Sequence, residues 1–466
     1  MAEQNGKSTF AYERKTAWNR GEDDKIFAFA EDYKRFIDRC KTERETTNYL
    51  EQEAVKLGFK PFSQAKFKTG EKIYLINHHK NVILAVIGKA DLTQGANIIV
   101  SHIDSPRLDL KPLPLYEGNN IALLKTQYYG GIKKYQWLNI PMSLHGRVVK
   151  SDGEYVDIVI GEDDNDPVFT IPDLLPHLAK KVQGEKKFFE GIEGENLNLV
   201  VGNIPVEDEN IKERVKETVL SKLNETYGIN EEDFISAELE AVPSYKARDV
   251  GIDRSMIGAY GHDDRVCSYA AFRALKDMDK TPDKTTIAFL VDKEEIGSYG
   301  ISSIRSKFFA HSLARFMEMQ NPDYRPSDLF KLYENSVALS GDVGGLVNPM
   351  FTAVHDLYNS PVMGCGVIIE KYTGSRGKYG ASDASAELMG KIRKLFNEND
   401  VKWQPGVLGR VDEGGGGTVA FEIAELGIQV VDSGVGVIGM HAPFEIISKV
   451  DLYETYKAYK VFLEKA

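Results

Sequence analysis

Cysteine is the scarcest chemistry-bearing residue in this chain. Cys40, Cys267 and Cys365 are all there is in 466 residues, too few and too scattered for a disulfide framework or a thiolate zinc site. Any metal must therefore be held by nitrogen and oxygen. No apolar run approaches the roughly 20 residues needed to cross a bilayer, and the opening MAEQNGKSTF has no apolar leader. Basic residues are also in deficit: 58 Lys and Arg face 70 Asp and Glu, a formal charge of -12 with no long block of either sign. A nucleic-acid or anionic-membrane surface is disfavoured on that balance, and a cytoplasmic address is the default expectation. What is present is ordinary for a folded protein: 42% hydrophobic and 27% charged residues, with length enough for two or three domains.

Apolar residues Ile26, Phe27, Phe29, Ala30, Tyr33, Phe36 and Ile37, then Tyr49, Leu50, Ala54 and Leu57, recur at helical spacing and predict two amphipathic helices between residues 24 and 57. KIYLINHH, NVILAVIG and NIIVSHID read as short strands, the last ending in polar side chains. From residue 112 to 245 the texture changes, with Pro112, Pro114, many Gly and Asn, alternating runs such as GEYVDIVIGE and a charged helix near 206 to 227. Strand runs ending in polar clusters resume near 246. The expected organisation is an α/β unit formed by residues 1–111 and 246–466, interrupted by a second unit at 112–245, with a parallel or mixed sheet in the first.

Five polar clusters carry the chemistry, four of them placed directly after strand-like runs. SHID supplies His102 and Asp104; GHDDR supplies His262, Asp263 and Asp264; DKEEIGS supplies Glu294 and Glu295; SGDVGG supplies Asp342; GMHAP supplies His441. Singly, each reads as a turn or cap. Together, two His and three or four carboxylates match the nitrogen and oxygen donors of a two-ion site for zinc, manganese or cobalt, in which a carboxylate bridges ions about 3.5–4 Å apart. Adjacent Glu294 and Glu295 would repel unless a cation or separate tasks divide them, one binding metal and its neighbour handling protons. The two-residue step from His102 to Asp104 suits a carboxylate that takes the second ring N–H of a metal-bound imidazole. At this level Asp263 and Asp264 remain alternatives.

The order HxD, GHDDR, DxEEIGS, SGD and GMHAP, with SPRLDLKP after His102 and EGGGGTVAFEIAELGIQVVDSG before His441, resembles the M18 family of metallo-aminopeptidases, the aspartyl aminopeptidase and aminopeptidase I group. The resemblance implies a three-layer α/β catalytic domain with a mixed sheet, interrupted by a smaller β-rich dimerisation domain. It also implies two divalent ions per subunit, zinc first and cobalt or manganese as alternatives. Counting back from the helix CSYAAFRAL puts Asp263 on the bridging position. His102 and Asp342 then complete one ion, Glu295 and His441 the other; Glu294 is the general base and Asp104 the partner of His102. Peptides with a free N-terminus are the implied substrates, and a homodimer assembling to a homododecamer the implied assembly. The family's PHLAxH pattern matches at His177, but Lys181 stands where its second His belongs, so His177 is left out of the catalytic set.

For substrate choice, GCGVIIEK matches a stretch where aspartyl-preferring relatives carry Lys. Anchored on Gly366, the count lands on Glu370; a one-residue slip gives Lys371, and strand alternation lets only one face the pocket. Glu370 in the pocket would oppose acidic N-terminal residues and favour neutral or basic ones. His355, downstream of Asp342, is a further candidate for the pocket lining. Glycines 414–417 lack the Lys-Ser/Thr of a phosphate loop and read as a tight loop beside the site. His78 and His79 read as turn residues, His262 as packing and Cys267 as core. Two rival functions use the same donors: a metal-dependent deacylase or amidase, and a self-assembling shell protein whose metals only stabilise the fold.

Overall fold

The computed structural model describes residues 10–18 and 21–466; the first nine residues, most of the opening read above as lacking a leader, lie outside them. The chain starts with α1 (Asp23–Arg39) and α2 (Glu43–Lys56), the two helices expected from periodicity, the second opened by a capping box in which Thr42 and Glu45 satisfy each other's backbone N–H groups. Strands β1 (Lys60–Pro61), β2 (Lys72–Asn77), β3 (Asn81–Val86) and β4 (Ala96–His102) follow. His78 and His79 form the tight turn between β2 and β3, both at positive φ.

Next comes a separate six-stranded antiparallel sheet: β5 (Arg107–Gly118), β6 (Ile121–Tyr129), β7 (Met142–Val149), β8 (Tyr155–Ile160), β9 (Leu199–Gly202) and β10 (Ala237–Pro243), in the order β8-β7-β10-β5-β6-β9. The short α3 (Pro176–Ala179) and α4 (Arg214–Tyr227) belong to this stretch, and its core gathers around Leu108, Trp137, Met142, Leu199 and Val215. Pro112 and Pro114, read from the sequence as the edge of a unit, lie inside β5 where its register with β6 slips between Leu110 and Leu115. A bulge tolerates residues without an N–H, so the strand passes through them and the sheet starts at Arg107.

The rest of the chain completes the first unit: β11 (Arg248–Val250), β12 (Met256–Ala259), α5 (His262–Lys276), β13 (Thr285–Val291), α6 (Phe308–Gln320), α7 (Pro326–Asn335), β14 (Val337–Gly341), β15 (Gly344–Gly345), β16 (Val367–Glu370), α8 (Ala386–Glu398), β17 (Trp403–Pro405), α9 (Ala420–Glu425), β18 (Gln429–Gly434), β19 (Gly436–Ile438), β20 (Glu445–Ser448) and α10 (Lys449–Lys465). Nine strands form the central sheet, β1-β2-β3-β13-β4-β14-β18-β16-β17. Strands β13, β4, β14 and β18 run parallel, while β3 and β16 flank them antiparallel, so the sheet is mixed as expected. Its faces alternate along each strand: Val82, Leu84 and Ile99 pack toward α1, α2, α5, α8 and α10, whereas Ile83, Ala85 and Ile98 pack toward α6, α7 and α9. Two helical layers around one sheet make the three-layer sandwich. A small third sheet, β11-β12-β20-β19-β15, borders it. No helix among the described residues is long and apolar enough to cross a membrane.

Candidate metal centre

The parallel strands end together. Val291 of β13 pairs with His102 at the tip of β4, and Gly341 of β14 pairs with Ser101, so the residues after these strands leave the sheet at one level. In such sheets the carboxyl ends of the strands open the crevice where ligands sit. There the structure brings together all five polar clusters, and all five, GHDDR after β12 included, follow strands.

Asp263 is the centre of the arrangement. Its Oδ1 lies 3.2 Å from His102 Nε2 and its Oδ2 lies 3.2 Å from His441 Nε2, so one carboxylate faces two imidazoles with separate oxygens. Asp342 Oδ1 and Glu294 Oε2 approach His102 Nε2 at 3.7 and 3.9 Å, and Glu295 Oε2 approaches His441 Nε2 at 3.3 Å. Both rings spend Nδ1–H on a backbone carbonyl, His102 on Asp104 O at 3.0 Å and His441 on Gly131 O at 2.8 Å. A carbonyl can only accept, so each Nδ1 carries a proton and each Nε2 is the ring atom that faces the carboxylates.

Asp104 meets His102 as expected, through its main chain as well as its side chain. Its carboxylate is 3.4 Å from His102 Nδ1, farther than its own carbonyl. That carboxylate also accepts the Tyr129 hydroxyl at 2.8 Å and the backbone N–H groups of Glu294 and Glu295, each at 3.2 Å. The loop folds back so that the main chain lies nearest the ring, and the side chain joins His102 to the Glu294–Glu295 turn.

Asp264, the alternative to Asp263, lies close enough to His102 and Asp342 to join a donor group. Its Oδ2, however, accepts the His102 backbone N–H at 3.3 Å, and it offers nothing to His441. His262 points away, between the Tyr33 hydroxyl at 2.7 Å and the Ile257 carbonyl at 3.2 Å; burial pushes its pKa down to about 3 and keeps it neutral. Cys267 is buried on α5, as read from the sequence.

Charge at the centre is unbalanced. Burial, reinforced by Asp342, Asp104 and Asp263 against the opposing His102, pushes Glu294 up to about 8, and burial with the Asp263 charge holds Glu295 well above the usual range. Burial works against ionisation of Asp263 as well, but contact with His102 and His441 holds it below the usual range. His102 Nε2 and Glu295 Oε1 are buried with no hydrogen-bond partner. Buried polar atoms without partners beside surplus carboxylates are the donor set that divalent cations satisfy, so the residues fit the metals implied by the sequence.

A cavity of about 650 Å³ opens onto these groups. Glu370 lines it and Lys371 does not: Glu370 is buried with Oε1 unpartnered, while Lys371 is half-exposed and bound to Asp383 at 3.0 Å. The glycines at 414–417 also line it, beside the site as expected. His355 is not among the lining residues. Its Nε2 accepts the Asn348 N–H at 3.2 Å, and Asp356 and Asn359 form the wall instead. His177 sits on α3, exposed. Sequence reasoning missed Glu445: from β20 its two oxygens accept the backbone N–H of His441 at 2.7 Å and of Asp263 at 3.1 Å, tying both to the third sheet. A lone acid in the apolar run FEII was the available signal.

A mixed α/β sandwich carrying two His and a bridging-type carboxylate at its strand ends belongs to the class of metallohydrolases. The family model described as aminopeptidase I zinc metalloprotease (M18) matches residues 36–463. The chain belongs to that M18 family, and it is accordingly an aminopeptidase, a hydrolase of peptides. A probable M18 family aminopeptidase 1 of Borrelia garinii is 49% identical over 446 residues, which are 95% of this chain and 97% of that one. The crystal structure of an M18 aminopeptidase from Thermotoga maritima superposes with a TM-score of 0.95 at 47% identity, covering 98% of this chain and all of that one. The fold extends to a more distant structure described as the S. cerevisiae mApe1 dodecamer, with a TM-score of 0.76 at 21% identity over 96% of this chain and 98% of that one.

Proposed function

We propose that the chain is a two-metal aminopeptidase that removes neutral or basic residues from the free N-terminus of peptides. The observation that carries the two-metal reading is Asp263, whose oxygens face His102 and His441 at equal distance. One ion would be held by His102, Asp263 and Asp342, the other by Asp263, Glu295 and His441. Zinc fits the family's description, and cobalt or manganese would accept the same donors. Such ions supply a water of lowered pKa and polarise the scissile carbonyl.

The protein's own part in the reaction falls to Glu294. Its carboxylate stands 3.9 Å from His102 Nε2, at the edge of the donor set, where the charge of an ion would offset the burial and neighbouring acids that push its pKa up. A group so poised takes the proton of the attacking water and returns it to the leaving amine. The substrate's ammonium would meet the surplus of carboxylates, which would favour a free N-terminus over a blocked one. Glu370 lends negative potential to the side-chain pocket. Residues 112–245 are proposed as the dimerisation domain, because the second sheet has its own core and exposes Tyr128, Val149, Tyr155 and Val159 to be covered. A dodecamer is the assembly seen in the yeast relative and is proposed here on fold likeness. All three cysteines are free thiols, which suits a cytoplasmic location.

Glu294→Gln tests the assignment. Turnover should fall about 10²- to 10⁴-fold, the usual worth of a general base, while elemental analysis still finds both ions. Loss of metal together with activity would reassign Glu294 as a ligand. A panel of blocked and unblocked peptides separates the aminopeptidase from a deacylase, which would prefer the former.

A further inference from the structure

The two proposed ion sites are not supported alike. His102 and Asp342 stand at the ends of β4 and β14, and the His102 ring leans on Asp104, on its main-chain carbonyl at 3.0 Å and its carboxylate at 3.4 Å, all within the central unit. Glu295 and His441 instead rest on three consecutive residues of the second sheet, at the end of β6. The Tyr129 hydroxyl donates to the Asp104 carboxylate at 2.8 Å, and that carboxylate holds the N–H groups of Glu294 and Glu295. The Gly131 carbonyl takes the Nδ1–H of His441 at 2.8 Å. Between them Gly130, at φ +77, passes so close that a Cβ would lie 3.3 Å from Glu295 Oε2. Only glycine adopts that conformation freely and leaves that space.

The turn being held needs holding. Lys293 and Ser298, on either side of Glu294–Gly297, have φ of 72 and 61, a left-handed conformation unfavourable for non-glycine residues. Tyr129 is itself fixed: it is buried, and the Arg107 guanidinium lies 3.9 Å over its ring. We infer that Tyr129, Gly130 and Gly131 of the second sheet are positioning residues for the Glu295/His441 ion alone, so that loosening them unloads one ion and spares the other. This rests on the two-ion reading proposed above.

The experiment is metal binding by chelator-stripped protein, followed by calorimetry and by equilibrium dialysis with elemental analysis, using zinc and cobalt as probes. Wild type should bind two ions. Tyr129→Phe, which deletes one oxygen, should keep one ion at wild-type affinity and weaken the other about 10- to 100-fold, the usual cost of losing a group that orients ligands. Asp104→Asn alters a carboxylate that lies against His102 as well as the turn, so it should weaken both ions and is the comparison for the selective effect of Tyr129→Phe. Thr126→Val removes a hydroxyl that bonds the Leu197 carbonyl farther along β6, and should leave both affinities unchanged. Equal weakening of both ions in Tyr129→Phe, or no weakening in either variant, would overturn the inference. A wild type that binds fewer than two ions would instead overturn the two-ion reading beneath it.

Discussion

Replacing Glu370 by Gln isolates one carboxylate from the surplus in the cavity and asks what it does for specificity. Glu370 is buried, its Oε1 has no partner, and Asp432 stands directly opposite it on β18. Burial first, then Asp432 and Asp342, push its pKa up to about 8. A neutral N-terminal residue meets it in the protonated form over most of the physiological range. A Lys or Arg side chain must meet it ionised. An ion pair at about 4 Å and an effective dielectric near 20 is worth about 4 kcal/mol. Ionising the acid at pH 7 costs about 1.4 kcal/mol for one pH unit, which leaves at most about 2.5 kcal/mol, or roughly 70-fold in kcat/KM. The sign with pH follows: the preference for Lys over Leu should climb as pH rises from 6 and level off above 8, by up to about 100-fold, because the ionised fraction grows tenfold per unit below the pKa. Taking the ratio of Lys- to Leu-anilide cancels the titration of the substrate α-amino group, which both share. In Glu370→Gln the ratio should fall and lose its pH dependence, with Leu-anilide turnover retained. A clear wild-type preference for Asp-anilide, or a Lys-to-Leu ratio flat between pH 6 and 9, would refute the reasoning.

Two further expectations concern stability. Asp451, fully buried at the start of α10, accepts the backbone N–H groups of Gly364 and Gly366 at 2.7 Å each; Asp451→Asn turns an amide NH2 toward one of them and should cost about 1–3 kcal/mol in urea unfolding, and a change within about 0.5 kcal/mol would refute the role. His145 joins α2 to the second sheet, its Nδ1 2.7 Å from Glu45 and its Nε2 3.1 Å from Glu162; burial opposes its charge, but the two carboxylates raise its pKa above 6.5. That stabilisation is complete below about pH 6.5 and lost as pH rises through the raised pKa, so His145→Gln should lower the urea midpoint at pH 6 and less so at pH 9, and a deficit independent of pH would count against it.

Legibility from sequence divided along a physical line. Side chains that must carry charge at strand ends announce themselves, because SHID, DKEEIGS and GMHAP place acids and imidazoles where an apolar run stops. The two faces of the central strands were equally open to reading, since Val82 to Val86 is apolar throughout and demands cover on both sides. What escaped is whatever the backbone does. The Gly131 carbonyl that fixes His441 carries no sequence signature, and neither does the Asp104 carbonyl that joins its own carboxylate on His102. His355 failed as a pocket residue for a similar reason: its neighbourhood in sequence was right, but the turn around it gave the wall to Asp356 and Asn359. Pro112 and Pro114 misled because a proline marks a break only when no bulge accommodates it.

The centre draws on all three sheets: the nine-stranded one for His102, Asp342 and the Glu294–Glu295 turn, the six-stranded one for Tyr129 and Gly131, and the small one for the Glu445 clamp on Asp263 and His441. Its contacts join residues 182, 190 and 310 positions apart. Time therefore enters. A chain still leaving the ribosome lacks His441 until 310 residues beyond Gly131 have been made, and contacts of such separation are slow to form. The centre cannot close on any N-terminus, its own included, before His441 has left the ribosome.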